Sequence, residues 1–245
     1  MRLPVFLMAA TAALALAGCG KADDDKAFGE RVHTYLMAHP EVIREAVQKL
    51  QANDQAKAAS ESKTAIAQNR AAIERDPRDF VANPNGRVTV TEFYDYRCPH
   101  CINVAPGVLQ LIAQDHDVRF VFKEMPIFGA LSERAARGAM AVKQKGGDYL
   151  GVYKDFMNAK PLNDEAVDRV LKAHGIDPAS IETPAAKQAG EAQISDVQSL
   201  ANALGIEGTP AFVIGDTIIP GESMPLVKDA IAAQRSGGIK SSPTR

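Results

Sequence analysis

Cys98-Pro99-His100-Cys101 directly follows the apolar run Val88 to Tyr96 and carries the strongest chemical signal in the chain. Two thiols at this spacing read as a redox dithiol if the strand runs straight into a helix. Cys98 then sits at the N-cap, Pro99 at N1 and Cys101 at N3. Proline costs little at N1, where its missing N–H would be unpaired anyway, and a sulfur at the N-cap can accept from the amides of His100 and Cys101. The helix end therefore favours a thiolate on Cys98, and His100 is expected to lower its pKa further. Side chains three apart on a helix lie roughly 5–6 Å apart at Cβ, close enough for a disulfide after a small adjustment. Cys98 is the expected attacking sulfur, and Cys101 the one that resolves the mixed disulfide.

A structural zinc site normally takes four ligands. The chain has no second CxxC, and His33, His39, His116 and His174 show no ligand spacing. No metal is expected, and no cofactor beyond the Cys98–Cys101 disulfide itself. Glu92 lies six residues before Cys98 on the same strand. Buried there, its carboxyl would have a raised pKa and could relay a proton for Cys101; facing solvent, it would do neither. Alternation along the strand does not assign its face. Tyr94, Tyr96, Phe120 and Phe122 read as core or rim.

The elements around these residues suggest one domain with an appendage, which 245 residues at 46% hydrophobic and 24% charged content can support. A net charge of -2 gives no basic footprint for nucleic acid. Residues 1–18 combine one early cation, Arg2, with an apolar stretch through Gly18, the layout of an export signal. A charged leash is expected over 19–26. Phe28, Val32, Tyr35 and Leu36 make a short helical stripe that stops before His39-Pro40. Val42, Ile43, Ala46, Val47 and Leu50 stripe a second helix, continued at a spacing of seven by Ala52, Ala59, Ile66 and Ile73. Residues 27–75 therefore read as a helical arm for oligomerisation or docking, because alone it has nothing to bury its stripe against.

The globular part is expected over 80–235: strand 87–96, helix 99–115 kinked at Pro106, and a strand at 118–122, in the order of a right-handed parallel crossover. Residues 131–204 read as helices inserted between strands of one sheet. A hairpin over 211–219 and a helix over 225–234 close the fold, and 236–245 reads as disordered.

With the dithiol on the first crossover and Gly208-Thr209-Pro210 just before a hairpin, the chain resembles the DsbA-type thiol–disulfide oxidoreductases of the thioredoxin superfamily. The resemblance implies an α/β thioredoxin-like fold with an inserted helical subdomain. It also implies a cis-proline at Pro210 whose loop, with Thr209, pairs with substrate backbone, and a buried Glu92 with which Lys123 pairs. Phe28 to Ile43 looks like the arm of the suppressor-of-copper-sensitivity C branch, some members of which are trimeric isomerases. Thr209 matches the isomerases and the Pro-His pair the strong oxidants, so the direction of exchange stays open. A periplasmic copper-binding protein is the rival reading, since two thiolates suit Cu(I).

Leu16-Ala17-Gly18-Cys19 resembles the bacterial lipobox, with Cys19 lipidated; ordinary signal cleavage after Ala15-Leu16-Ala17 would leave Cys19 as a free thiol beside redox chemistry. Gly20 in place of aspartate implies an outer-membrane anchor facing the periplasm. The implied partners are exported cysteine-containing proteins and a membrane redox partner of the DsbB or DsbD kind, and a homo-oligomer is expected through the arm.

Overall fold

The structure, a computed structural model, describes residues 20–237. The expected signal 1–18, the lipidation candidate Cys19 and residues 238–245 lie outside them. The chain divides into two units, residues 1–58 and 59–245.

The first unit contains helix α1 (Gly20–Ala38) and the beginning of α2 (Glu41–Glu74). The break falls at His39-Pro40, as the restriction on a residue before proline requires. Glu41 occupies the first turn of α2, where a negative charge suits the helix dipole. The leash expected over 19–26 is instead helical from Gly20 onward. Alanine and lysine are good helix formers, and Asp24 and Asp25 lie near the positive end of the helix. Phe28, Val32, Tyr35, Met37, Ile43, Val47 and Leu50 are all exposed, so this unit has an apolar surface and, among its described residues, no buried core to receive it.

The second unit is built on a five-stranded sheet in the order β1-β3-β2-β4-β5. Its strands are β1 (Phe80–Ala82), β2 (Val88–Tyr94), β3 (Val118–Glu124), β4 (Ala211–Ile214) and β5 (Thr217–Pro220). Helix α3 (Pro99–Gln114) joins β2 to β3, which are parallel; the other three pairings are antiparallel. Pro106 lies inside α3. Between β3 and β4 come α4 (Ala130–Gln144), α5 (Tyr149–Asn158), α6 (Asp164–Ala173), a 3-10 turn and α7 (Pro184–Ala203). Asp148, Asn163 and Thr183 cap α5, α6 and α7 by accepting from backbone amides. Helix α8 (Met224–Gly237) follows the hairpin, so the tail expected to be disordered from 236 begins inside a helix.

Strand alternation divides the core in two. In β2 and β3, Val90 pairs with Phe120, Glu92 with Phe122 and Tyr94 with Glu124. Side chains of this parity point to one face. There Val90, Tyr94, Phe120 and Phe122 pack with Val104 and Val108 of α3 and Val152, Tyr153 and Phe156 of α5. The opposite face carries Phe93 and Val213, covered by Val197 and Leu200 of α7 and by Ile66 and Ile73 of α2.

Two expectations need correcting on this evidence. The arm does not extend to residue 75: Ile66 and Ile73, which sequence spacing joins to the arm's stripe, are core residues of the sheet unit. Their seven-residue spacing reflects one helix face lying on a sheet. Lys123 does not pair with Glu92, because the two differ in parity and point to opposite faces. The Lys123 ammonium instead donates to the carbonyl of Ala72 at 2.6 Å and pairs with the buried carboxylate of Asp79.

Truncation separates these readings. A chain starting at residue 59 should unfold cooperatively in urea near the parent's midpoint, and one starting at 76 should be strongly destabilised. Ile73→Ala in the full chain should cost about 2–5 kcal/mol, whereas Ile43→Ala should leave the urea midpoint of the sheet unit in place.

Candidate active site

The redox pair stands where β2 hands over to α3. Cys98 is the N-cap, in extended conformation at φ -71 and ψ 119, with proline in the first turn behind it. Its N–H donates to the Asp95 carbonyl at 3.2 Å. The Asp95 carboxylate accepts from the amides of Arg97 at 2.7 Å, Ile127 at 2.7 Å and Phe128 at 3.0 Å. Asp95 therefore ties the turn before the dithiol to the loop after β3, where Ile127 and Phe128 are exposed beside it. Sequence reading passed over this residue, although an aspartate just before a turn is a common acceptor for backbone amides.

Cys98 and Cys101 are both free thiols and both buried. As a thiol, Cys98 makes no side-chain cap bond. Its thiol instead donates to the carbonyl of Thr209 at 3.1 Å. The antiparallel pairing of β4 with β2 brings this about by setting the residues just before Ala211 against the dithiol. The Thr209-Pro210 peptide is cis, as the resemblance implies for Pro210. Thr209 Oγ1 is buried without a hydrogen-bond partner.

The two sulfurs meet opposite conditions. Cys98 is lowered to about 5 by the Cys101 thiol first, then by the Thr209 side chain and the amides of Cys101 and His100, against the cost of burial. Cys101 is held above the ordinary thiol range by burial first, then by its hydrogen bond with Cys98 and the charge of Glu92. The His100 ring is exposed with Nδ1 3.4 Å from Glu222 Oε2, and the His100 amide is among the groups that lower the Cys98 pKa.

Glu92, whose face sequence alternation left open, points inward and is fully buried. Oε2 accepts from the Tyr153 hydroxyl at 3.5 Å and Oε1 has no partner. Burial pushes its carboxyl up to about 8. The site thus holds an ionisable outer sulfur, a neutral inner sulfur and a buried carboxylic acid on the same side of the sheet.

Sequence reading also missed Glu124, which occupies the same face. Its Oε1 accepts from the hydroxyls of Tyr94 at 2.7 Å, Tyr96 at 2.9 Å and Tyr149 at 2.7 Å. Parity was the available signal: Glu124 follows Phe120 and Phe122 at steps of two. Among the described residues no group of three His, Cys, Asp or Glu side chains could hold a metal ion.

The sulfurs dictate how stability depends on pH. A depressed folded-state pKa stabilises the reduced protein above the unfolded value and loses that contribution as pH falls to the folded one. For Cys98 these limits are 9.0 and about 5. Cys101, with a raised pKa, is neutral in both states below 9.0. The stability of the reduced protein relative to its disulfide form should therefore rise between about pH 5 and pH 9. Paired urea titrations at several pH values read this directly.

Residues 89–232 match the DSBA-like thioredoxin domain family, and residues 24–57 match the Copper resistance protein ScsC N-terminal domain. A thioredoxin-like oxidoreductase from Silicibacter pomeroyi is 35% identical, covering 69% of this chain and 98% of its own, with a TM-score of 0.62. BcfH of Salmonella enterica Typhimurium is 29% identical, covering 86% of this chain and 96% of its own, with a TM-score of 0.72. A curated relative, the Na(+)/H(+) antiporter NhaA 3 of Salinispora tropica, is 27% identical over 57% of this chain, which spans only 22% of that protein. Such ion transport belongs to that longer protein. The family match over most of the sheet unit, on a strand–helix junction that carries two thiols of unequal acidity, means that the chain belongs to the DSBA-like thioredoxin family and is a thiol–disulfide oxidoreductase.

Proposed function

We propose that this enzyme is exported and exchanges disulfides in exported, cysteine-containing proteins through Cys98 and Cys101. The observation that carries the reading is the placement of two buried free thiols at the start of α3, the first at the N-cap against the Thr209 carbonyl. In the oxidising direction a substrate thiolate attacks Cys98, and the Cys98–Cys101 bond breaks. The Cys101 sulfur leaves with the electron pair and takes a proton from the Glu92 carboxyl. A second substrate thiolate then attacks the mixed disulfide and Cys98 leaves as thiolate, so two electrons have passed from the substrate to the enzyme. A low Cys98 pKa makes it a good leaving group and stabilises the reduced form, which makes the disulfide more oxidising. Run in reverse, the Cys98 thiolate opens a wrong substrate disulfide, which is how an isomerase begins.

Substrate would lie along the Thr209-Pro210 loop, with Ile127 and Phe128 giving apolar contact to an unfolded chain. Cys19 would carry a lipid anchor that holds the enzyme at the periplasmic side of the outer membrane, supported by the lipobox-like sequence. No helix among the described residues is long and apolar enough to cross a membrane. A membrane redox partner of the DsbB or DsbD kind would reset the dithiol. The exposed stripe of the first unit supports self-association through that arm. Copper binding is the weaker reading, because a Cu(I) dithiolate needs both sulfurs ionised and Cys101 is buried beside Glu92.

Cys98→Ser should abolish refolding of a scrambled-disulfide substrate, and Cys101→Ala should accumulate mixed disulfides through Cys98. Retained turnover in Cys98→Ser would refute the assignment. Thr209→Val removes a hydroxyl that lowers the Cys98 pKa, so it should raise that pKa while the thermal midpoint holds. The in-cell redox state of the pair decides direction: oxidised for an oxidase, reduced for an isomerase or reductase.

A further inference from the structure

Two glutamates are buried on the sheet face beneath the dithiol, and among the described residues no cation faces either of them. Glu92 and Glu124 are diagonal neighbours across β2 and β3, two steps apart in register. The ionisable groups around them come from every packed element: Tyr94, Tyr96 and Asp95 from β2 and its end, Cys101 from α3, and Tyr149 and Tyr153 from α5. Lys123, the neighbouring cation in sequence, points through the other face to Asp79.

Two carboxylates so placed would repel in a medium that screens poorly, so one proton stays with the pair. Donor supply decides where it resides. Glu124 receives three hydroxyl groups on a single oxygen, all within 2.9 Å. An ionised carboxylate is an acceptor alone and gains most from such a set. Burial pushes both carboxyls up to about 8, so the difference in donors settles which of the two ionises. Glu92 has one contact, at 3.5 Å, and its other oxygen has none. A buried carboxylate with so little donation takes up a proton instead.

Resting on the exchange reading above, we propose that Glu124 is a positioning residue. Its tyrosine-bound carboxylate keeps the negative charge of the pair and thereby holds the proton on Glu92, ready for Cys101. Glu124 touches neither sulfur nor substrate. Its effect passes through Glu92, whose protonated state it favours by like-charge repulsion. The same charge spares the site a cation, which would draw the proton off Glu92.

Infrared titration of the carboxyl C=O band in the oxidised protein tests this. The parent should show one protonated buried carboxyl at neutral pH. The band should vanish in Glu92→Gln. In Glu124→Gln it should persist but deprotonate at a pH lower by roughly one unit, about a tenfold change in the equilibrium. Loss of the band in Glu124→Gln, or an unshifted titration there, would overturn the proposal. If Glu124→Gln does not fold, Tyr149→Phe takes its place. With a donor removed, Glu124 should share the proton and a second band should grow in, and an unchanged single band would contradict the proposal.

Mixed-disulfide resolution is followed in the same variants. Glu124→Gln should move the pH profile of the resolving rate down by the same roughly one unit. A Glu92→Gln variant that resolves at the parent's rate defeats the relay role of Glu92. The infrared result would still stand on its own.

Discussion

Two buried acids with no cation beside them cannot both ionise, and that constraint organises the groups beneath the dithiol. The sheet face under α3 carries two glutamates, four tyrosines and the inner sulfur, while the one lysine of β3 leaves through the opposite face. Cys101 inherits the consequence: ionising it would place a second negative charge in an environment already short of compensation. Cys98, one helical turn earlier, escapes by reaching the helix end and the Thr209 loop, where amides and a hydroxyl can meet its charge. Sequence distance between the sulfurs is small. The dielectric difference between their surroundings supplies the chemistry.

The fold supports this contrast by keeping the sheet's two faces chemically separate. One face receives α3 and α5 with the polar cluster, and the other receives α2 and α7 with an almost purely aliphatic packing around Phe93. Lys123 and Asp79 form a buried ion pair on that second face, where the Ala72 carbonyl supplies a further acceptor. Placing the pair there satisfies the lysine without delivering a positive charge to Glu92. Asp95 links the two layers at their edge: its carboxylate holds the amides of Ile127 and Phe128 while its carbonyl holds the amide of Cys98. The apolar rim and the reactive sulfur are therefore fixed to one anchor.

Much of this was legible in the residues. The dithiol declares itself through spacing and through Pro99, and Thr209-Pro210 through its place before a hairpin. Glu92 was visible as a candidate, but its face was not, because alternation fixes parity and leaves open which side of a sheet is covered. The same limit explains Lys123, whose odd offset from Glu92 excludes pairing once the β2–β3 register is known. Glu124 escaped because its meaning lies in Tyr149, twenty-five residues away on helix α5. The arm's boundary failed for a related reason: Ile66 and Ile73 continue a helical stripe without announcing that a different surface receives them.

The central claim is that the two sulfurs differ in ionisation because one meets hydrogen-bond donors at a helix end and the other a buried acid. Differential alkylation of the reduced protein, with each cysteine's labelling rate followed by mass spectrometry across pH, measures it directly. Cys98 should label with a midpoint near pH 5, and Cys101 should stay unreactive as pH rises toward 9. Equal labelling of the two, or earlier labelling of Cys101, would contradict it.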